Sequence, residues 1–333
     1  MSDFAKLCAA DVCDLILSAT SLLVVGHTNP DGDAVGSCVA LCLISRAAGI
    51  RSAVFFPDPP QKRLRFLIPE GMEADGTDGW DVVCTVDVPS PAQLGKTPEI
   101  ASRASFMIDH HMRGEQFAPG LVDPSAAAAG ELVFTVYEEM KRREAIAPSP
   151  AAARAMYGAL VADTGSFAYS NTSPETHRIA GELLREIQGD PDGPEPSEIS
   201  RLLMEQTTAE ELYCKMIAVK NLRLYENGRL AVTVLPSDEL RALGAAESDG
   251  GGAVDVPRSV AGVDVAVALR QKFDTPTEFR VSSRARGDFD VSAVCALFGG
   301  GGHGRAAGCT IEADSPEEAV EKAVGAFSAI LGG

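Results

Sequence analysis

The sequence predicts an α/β protein with a parallel-sheet N-terminal domain, a helical connector and a smaller α+β C-terminal domain. Three observations lead there. Short apolar runs alternate with helical patterns through the first half of the 333 residues, the mark of βαβ units and a parallel sheet. A Pro/Gly/Asp cluster, GDPDGPEPS at 189–197, interrupts that rhythm, and strand patterns dominate beyond it. The length suits two domains of ordinary size. The boundaries read as 1–190 for the first domain, 191–206 for the connector and 207–333 for the second.

The elements follow in order. Residues 22–25, 82–86 and 105–108 read as buried strands, and 34–48, 131–142 and 151–162 as helices. Ser173-Pro174-Glu175 opens another helix, with serine as cap and proline at the first helical position. Residues 198–220 read as one helical connector. Residues 229–235, 263–269 and 278–283 read as strands, and 244–262 as a glycine-rich, mobile loop. Ser315-Pro316-Glu317-Glu318 starts the last helix as a capping box. No internal repeat is evident.

Composition narrows the class. The chain is 45% hydrophobic and 23% charged, ordinary for a soluble globular protein. Its net charge is −18, and the acidity is concentrated early: residues 1–206 carry 29 acidic and 16 basic side chains, residues 207–333 carry 18 and 13. Nucleic-acid affinity comes largely from cations neutralising phosphates, so duplex DNA is excluded as a main partner, while a small anion at a local cation is not. The eight cysteines include no CxxC. Cys8/Cys13 and Cys38/Cys42 have spacings that suit buried helical positions. Free thiols point to a reducing compartment. The start, MSDFAKLCAADVCDL, lacks a signal-peptide pattern, and the longest apolar stretch, 38–50, contains Arg46 and is too short to span a bilayer. The expectation is a cytoplasmic protein with no membrane partner, as monomer or homodimer.

Four polar clusters sit at element ends: His27-x3-Asp31-x-Asp33, Asp87, Asp109-His110-His111 and Asp163. Taken singly, each is most simply a turn former, a helix cap or a satisfied core pair. Taken together, they hold three of the five histidines, at the strand ends where open α/β sheets gather ligands. Ionised carboxylates converging there would repel one another and suffer desolvation, and a dication removes both costs. Imidazole and carboxylate donors without thiolate suit Mn²⁺ first, with Mg²⁺, Co²⁺ or Zn²⁺ also fitting. So many donors suit two ions ~3.5–4 Å apart sharing one carboxylate, a pair able to deprotonate a water and aim it at phosphorus.

A fifth cluster is FGGGGHGRAAGC at 298–309, where Gly300, Gly301 and Gly302 let backbone N–H groups approach an anion and His303 and Arg305 add donors. Upstream, RVSSR at 280–284 ends a strand in hydroxyls and a cation; its plain reading is a solvated strand end. His177 lies outside every cluster and reads as structural.

HTNPDGDAVGS, VDVPS, IDHHM and ADTGSF in order, followed by a distal GGGGHGRAAG, resemble the DHH phosphoesterase superfamily with a C-terminal DHHA1 domain. The segments VPRSVAGVDVAVALRQ and FRVSSRARG add to the likeness, which covers nearly the whole chain. By length and domain plan the sequence is most similar to the NrnA-like group of nanoRNases and pAp phosphatases. The resemblance implies an active site in the cleft between two domains, and hydrolysis of very short RNA to mononucleotides or of the 3′-phosphate of 3′-phosphoadenosine 5′-phosphate (pAp). It implies that His27 and Asp31 bind one metal, that Asp33, His110 and Asp163 bind a second, and that Asp87 bridges them. Asp109 would orient a neighbouring group, and His111 would face the substrate phosphate or leaving group. Arg284, His303, the glycines and Arg305 would grip the rest of the substrate. One departure is SAAAAGEL at 125–132, where the family shows a Ser/Thr-containing stretch. The rival readings are a phosphodiesterase for linear or cyclic dinucleotides (pApA, pGpG, c-di-AMP) and a catalytically dead nucleotide-binding regulator.

Overall fold

The computed structural model describes residues 4–112 and 114–332. The chain forms two compact units, residues 1–206 and 207–333. The first holds a five-stranded sheet in the order β2-β1-β3-β4-β5, built from β1 (Ser21–Val25), β2 (Arg51–Phe55), β3 (Val82–Val86), β4 (Phe106–Asp109) and β5 (Gly120–Val122). All its pairings are parallel. The chain steps from β1 to β2 on one side and returns to β3 on the other. The switch point, where such sheets bind ligands, therefore lies beyond the carboxyl ends of β1 and β3. The strands read from the sequence are all present. The edge strands β2 and β5 were not anticipated: β2 buries only its middle residues, and β5 has three residues, too few for a pattern.

The helices of this unit are α1 (Ala9–Leu17), α2 (Gly32–Ala47), α3 (Glu99–Arg103), α4 (Ala129–Arg142), α5 (Pro150–Asp163), α6 (Pro174–Ile187) and α7 (Pro196–Met204). Helix α2 buries thirteen of its sixteen residues, which is why it carries no polar stripe. Small residues let it meet its neighbours closely. A Cβ on Gly36 would lie 2.5 Å from the Ala155 carbonyl oxygen, and one on Gly32 2.5 Å from the Ala162 Cβ. Gly130 of α4 would likewise press on Ala159 at 2.8 Å. Helices α2, α4 and α5 thus close to near backbone contact. Ser173 caps α6 as expected, with Pro174 at its first position.

Two expectations around the boundary change. Residues 198–220 do not form one helix: α7 ends at Met204, and α8 (Ala209–Lys220) starts afresh behind a Thr208 cap. Helix α7 packs into the first unit, with Ile199 and Leu203 buried in its core. The GDPDGPEPS segment is gathered around Arg154, whose guanidinium donates to the Asp190, Asp192 and Pro194 carbonyls and pairs with the Asp190 carboxylate at 2.6 Å.

The second unit holds a mixed sheet in the order β10-β11-β9-β8-β7-β6. Its strands are β6 (Arg223–Tyr225), β7 (Leu230–Leu235), β8 (Val265–Gln271), β9 (Glu278–Ala285), β10 (Gly301–His303) and β11 (Ala306–Glu312). Only β7 and β8 run parallel. The helices are α8, α9 (Ser237–Ala242), α10 (Asp255–Ser259), α11 (Val291–Ala296) and α12 (Pro316–Ser328). The stretch expected to be a mobile loop contains a 3-10 helix, Glu247–Val254, and α10; Ala253 and Val254 are buried against Ala268 of β8. Glycine content misled because the segment is held by tertiary burial, not propensity. At α12, Ser315 accepts from the Glu318 amide, but the Glu318 carboxylate takes the Asp314 amide instead of closing a capping box. Cys8 is exposed at the cap of α1, against expectation, whereas Cys13, Cys38 and Cys42 are buried; all eight cysteines are unpaired. No helix among the described residues is long and apolar enough to cross a membrane.

Candidate metal centre

Each polar cluster reaches the switch point by a different local device. His27 follows β1 after one glycine, and Gly26 leaves no room for a side chain: its Cβ would lie 2.7 Å from the Phe56 ring. Asp31 caps α2, accepting from the Asp33 and Ala34 amides at 3.0 and 3.1 Å, as carboxylates at helix starts do. Asp33 then points inward from the first turn, 1% exposed. Asp87 follows β3 in a left-handed conformation, φ 61°, while its amide still bonds the Ile108 carbonyl at 2.9 Å. Aspartate tolerates that region better than most residues. Asp109 ends β4 and His110 and His111 follow it. Asp163 is the last residue of α5.

The donor atoms fall into overlapping groups in which all lie within 4.8 Å of one another: His27, Asp31 and Asp87; Asp33, His110 and Asp163; and Asp87, His110 and His111. Asp87 joins the first group to His110. Its carboxylate stands 3.5 Å from the Nε2 atoms of both His27 and His110. His110 Nε2 in turn lies 3.6 Å from Asp33 and from Asp163.

Hydrogen bonds behind these groups set their orientation. His27 Nδ1 donates to the Thr28 carbonyl at 2.7 Å and His110 Nδ1 to the Ala126 carbonyl at 3.2 Å. Each bond leaves the Nε2 lone pair of a neutral ring facing the carboxylates, the arrangement usual in histidine metal ligands. Asp33 accepts from the Ala129 and Gly130 amides at 2.7 and 3.1 Å and from Ser37 Oγ at 2.7 Å. It thereby caps α4, which has no side-chain cap of its own. In the SAAAAGEL departure, backbone amides of α4 thus meet Asp33, and Ser125 bonds Asp123 instead. Asp109 is 2% exposed and holds the His111 ring through Nδ1 at 2.8 Å.

The electrostatics show how unfavourable this constellation is without a cation. Burial, repelled further by Asp31 and Asp87 and only partly offset by His110, lifts Asp163 to about 7. Burial and the neighbouring carboxylates hold Asp33 well above the usual range. Burial would lower His27 and His110, but Asp87 and the other carboxylates overcome it and raise them to about 9 and about 10. Asp87 is 2% exposed, and its Oδ1 is buried without a hydrogen-bond partner among the described residues. A buried carboxylate oxygen that accepts no hydrogen bond, amid nitrogen and oxygen donors, fits a divalent cation. His27, Asp31, Asp33, Asp87, His110 and Asp163 are the residues that could hold it.

Two contributors escaped sequence reading. Ser37 could have been found, being one helical turn beyond Asp33. Asn171 could not. Its amide donates to the Ala127 and Asp163 carbonyls at 3.0 and 3.1 Å, tying the end of α5 to the turn that carries Ala126, Ala129 and Gly130. His177 stacks on Phe167 at 5.4 Å, away from the donors.

In the second unit the sheet aligns the remaining candidates. Arg284 of β9 pairs with Ala306 of β11, which pairs with His303 of β10. The His303 side chain lies outside the described residues. The glycines are shaped mainly by the hairpin: a Cβ on Gly300 would meet the Gly308 oxygen at 2.2 Å, and Gly302 sits at φ +141°. The Gly300 amide is taken by the Cys295 carbonyl, whereas Gly301 has open space beside it. Arg305 is exposed and donates to the Gly287 carbonyl.

Comparisons with known proteins agree with this layout. Residues 21–160 match the N-terminal domain of the DHH family, and residues 227–332 match the DHHA1 domain. The bifunctional oligoribonuclease and PAP phosphatase NrnA of Thermus thermophilus is 29% identical over 304 residues, 90% of this chain and 87% of that one. Its Bacillus subtilis counterpart is 26% identical over 87% and 89%. The cyclic-di-AMP phosphodiesterase PdeA of Listeria monocytogenes is 23% identical over 90% of this chain but 46% of its own. The crystal structure of an exopolyphosphatase-related protein from Bacteroides fragilis shares the fold, with TM-score 0.86 and 24% identity over 96% of this chain and 95% of that one.

Proposed function

We propose that this chain, which belongs to the DHH phosphoesterases that carry a DHHA1 domain, is a hydrolase that uses two divalent cations to degrade very short oligonucleotides to mononucleotides, to remove the 3′-phosphate from pAp, or both. The observation that carries the proposal is the convergence of six donor side chains from four separate segments around the buried Asp87 Oδ1, which accepts no hydrogen bond among the described residues. The likeness to NrnA over most of both chains supports the substrate class.

In this reading His27 and Asp31 would hold one cation, Asp33, His110 and Asp163 the other, and Asp87 would serve both; Mn²⁺ fits the donors first. Cations in such a site lower the pKa of water and neutralise charge on the phosphate. Asp109 is a positioning residue that fixes the His111 ring, and His111 stabilises the departing ribose oxygen. Arg284, His303, the Gly300–Gly302 backbone and Arg305 bind the rest of the substrate. The similarity to PdeA supports a second reading, phosphodiester cleavage in cyclic or linear dinucleotides.

One assay separates these readings. Purified protein with Mn²⁺ is offered pAp, di- to pentanucleotides, pApA, pGpG, c-di-AMP and pyrophosphate, with a chelated control. The expected result is metal-dependent turnover of pAp and the short linear nucleotides. Turnover of c-di-AMP alone selects the second reading. No metal-dependent hydrolysis of any phosphoester overturns both and leaves a nucleotide-binding regulator.

A further inference from the structure

Strand β9 faces the core of the second unit on one side only. Phe279 and Val281 pack there with Val265, Val267 and Leu269 of β8 and with Ala307, Cys309 and Ile311 of β11. On the opposite face three rows stand in register: Ala266, Arg284 and Ala306; Ala268, Ser282 and Gly308; Arg270, Arg280 and Thr310. The 3-10 helix Glu247–Val254 covers Ala268, so the open part of this face lies over β9 and β11. Arg280 is exposed, and Ser282 and Arg284 are half-buried.

This face is arranged against its own stability. Arg270 and Arg280 stand directly opposite one another, and like charges in that position destabilise a sheet. Arg270 packs beside Gly250, and its Nε is buried without a hydrogen-bond partner among the described residues. Glu247 offsets part of this at Arg270, and an anion over the exposed Arg280 would relieve the rest. The side chains on one face of a strand repeat every about 6.7 Å, close to the separation of successive phosphates in an extended single strand. Beyond Arg280 the next residue on the same face is Glu278. It pairs with Lys272 and stands opposite Glu312 of β11, a carboxylate pair that repels a further phosphate.

We propose that this face of β9 is a phosphate track in which Arg284, Ser282 and Arg280, with Arg270 beside Arg280, hold successive phosphates of a short single-stranded oligonucleotide, and that Glu278 and Glu312 end it. The track makes Arg280 a length-specificity residue: it acts on substrates too long for Arg284 and the glycine hairpin alone. This inference rests on the reading of the substrate as a short oligonucleotide.

The test compares the full chain with Arg280→Gln and Arg270→Gln. With Mn²⁺, kcat/KM is measured for pAp and for di-, tri-, tetra- and pentanucleotides. In parallel, binding of a fluorescent tetranucleotide is followed in EDTA over a salt series. Each variant should lower tetranucleotide kcat/KM about tenfold and leave pAp and the dinucleotide within about twofold, the loss of one charged contact. Binding in EDTA should weaken about tenfold, with a shallower salt dependence. Equal losses on every substrate, or none on any, overturn the track. If the wild-type protein hydrolyses nothing yet binds the tetranucleotide, and Arg280→Gln weakens that binding, the track stands and the enzymatic reading fails.

Discussion

Replacing Gly36 by alanine tests the idea that near backbone contact between helices builds the candidate metal centre. Gly36 lies on α2 three residues after Asp33. A Cβ there would stand 2.5 Å from the Ala155 carbonyl oxygen and 3.0 Å from the Ala159 amide nitrogen, both backbone atoms of α5. No rotamer change can relieve that clash. The helices must separate by at least 0.5 Å for the closest contact to reach even 3.0 Å. Such overpacking costs about 1–3 kcal/mol, against a gain of about 1 kcal/mol from alanine's helix propensity. A net loss of up to about 2 kcal/mol should lower the Tm by about 2–4 °C per kcal/mol in a unit of this size. The functional effect should be larger. Asp33 rides on α2 and Asp163 on α5, and misplacement by about 1 Å costs about 10²-fold in rate, so turnover should fall tenfold or more. Gly181→Ala is the control: it lies in α6 with nothing within 4 Å, and it should stabilise by about 1 kcal/mol. Calorimetry and Mn²⁺-dependent hydrolysis of a dinucleotide read both effects. Wild-type Tm and turnover in Gly36→Ala would refute the argument.

Two further outcomes follow from the same geometry. Asn171→Ala removes the amide that bridges the Ala127 and Asp163 carbonyls, so the Kd for Mn²⁺ measured by calorimetric titration should rise about five- to tenfold, with KM for pAp unchanged at saturating metal; an unchanged Kd would deny Asn171 its positioning role. In the metal-free protein at neutral pH the raised His27 and His110 hold protons and Asp163, at about 7, is partly protonated, and ligands must be deprotonated to bind. Metal affinity should therefore strengthen from pH 6 to 9, with proton release detectable by titration in buffers of different ionisation enthalpy. The folded-state pKa values of the two histidines exceed the usual 6.5, so their contribution to metal-free stability is complete below about pH 6.5 and is lost as pH rises through 9 to 10. A metal-free Tm that climbs over that interval would contradict the assignment.

Much of the site was legible in the linear chain because its parts sit at element ends. An apolar run that stops at a polar residue marks a strand's carboxyl end, and in a parallel sheet those ends share one edge. The run 82–86 stopping at Asp87 and the run 105–108 stopping at Asp109 are instances. Element type was legible for the same reason: β1 and β4 are buried throughout and β3 at all but Val82, and the capped, proline-started α6 announces itself locally. Where burial alone holds a segment, local pattern failed. The 3-10 turn and α10 within 247–259 are glycine-rich, and only their packing on β8 makes them ordered.

What the sequence by itself determined about this protein is the inventory of donors and the βαβ alternation that sends them to one edge of a sheet. The tertiary structure alone decided which donors share a neighbourhood, because that depends on strand order and on how closely helices approach. It seated Asp87 between two histidine nitrogens, brought the amides of α4 onto Asp33, and used Asn171 to link segments whose contacts span 44 residues. It also set Arg270 against Arg280. Register across a sheet is a long-range property, and no local reading of either strand contains it.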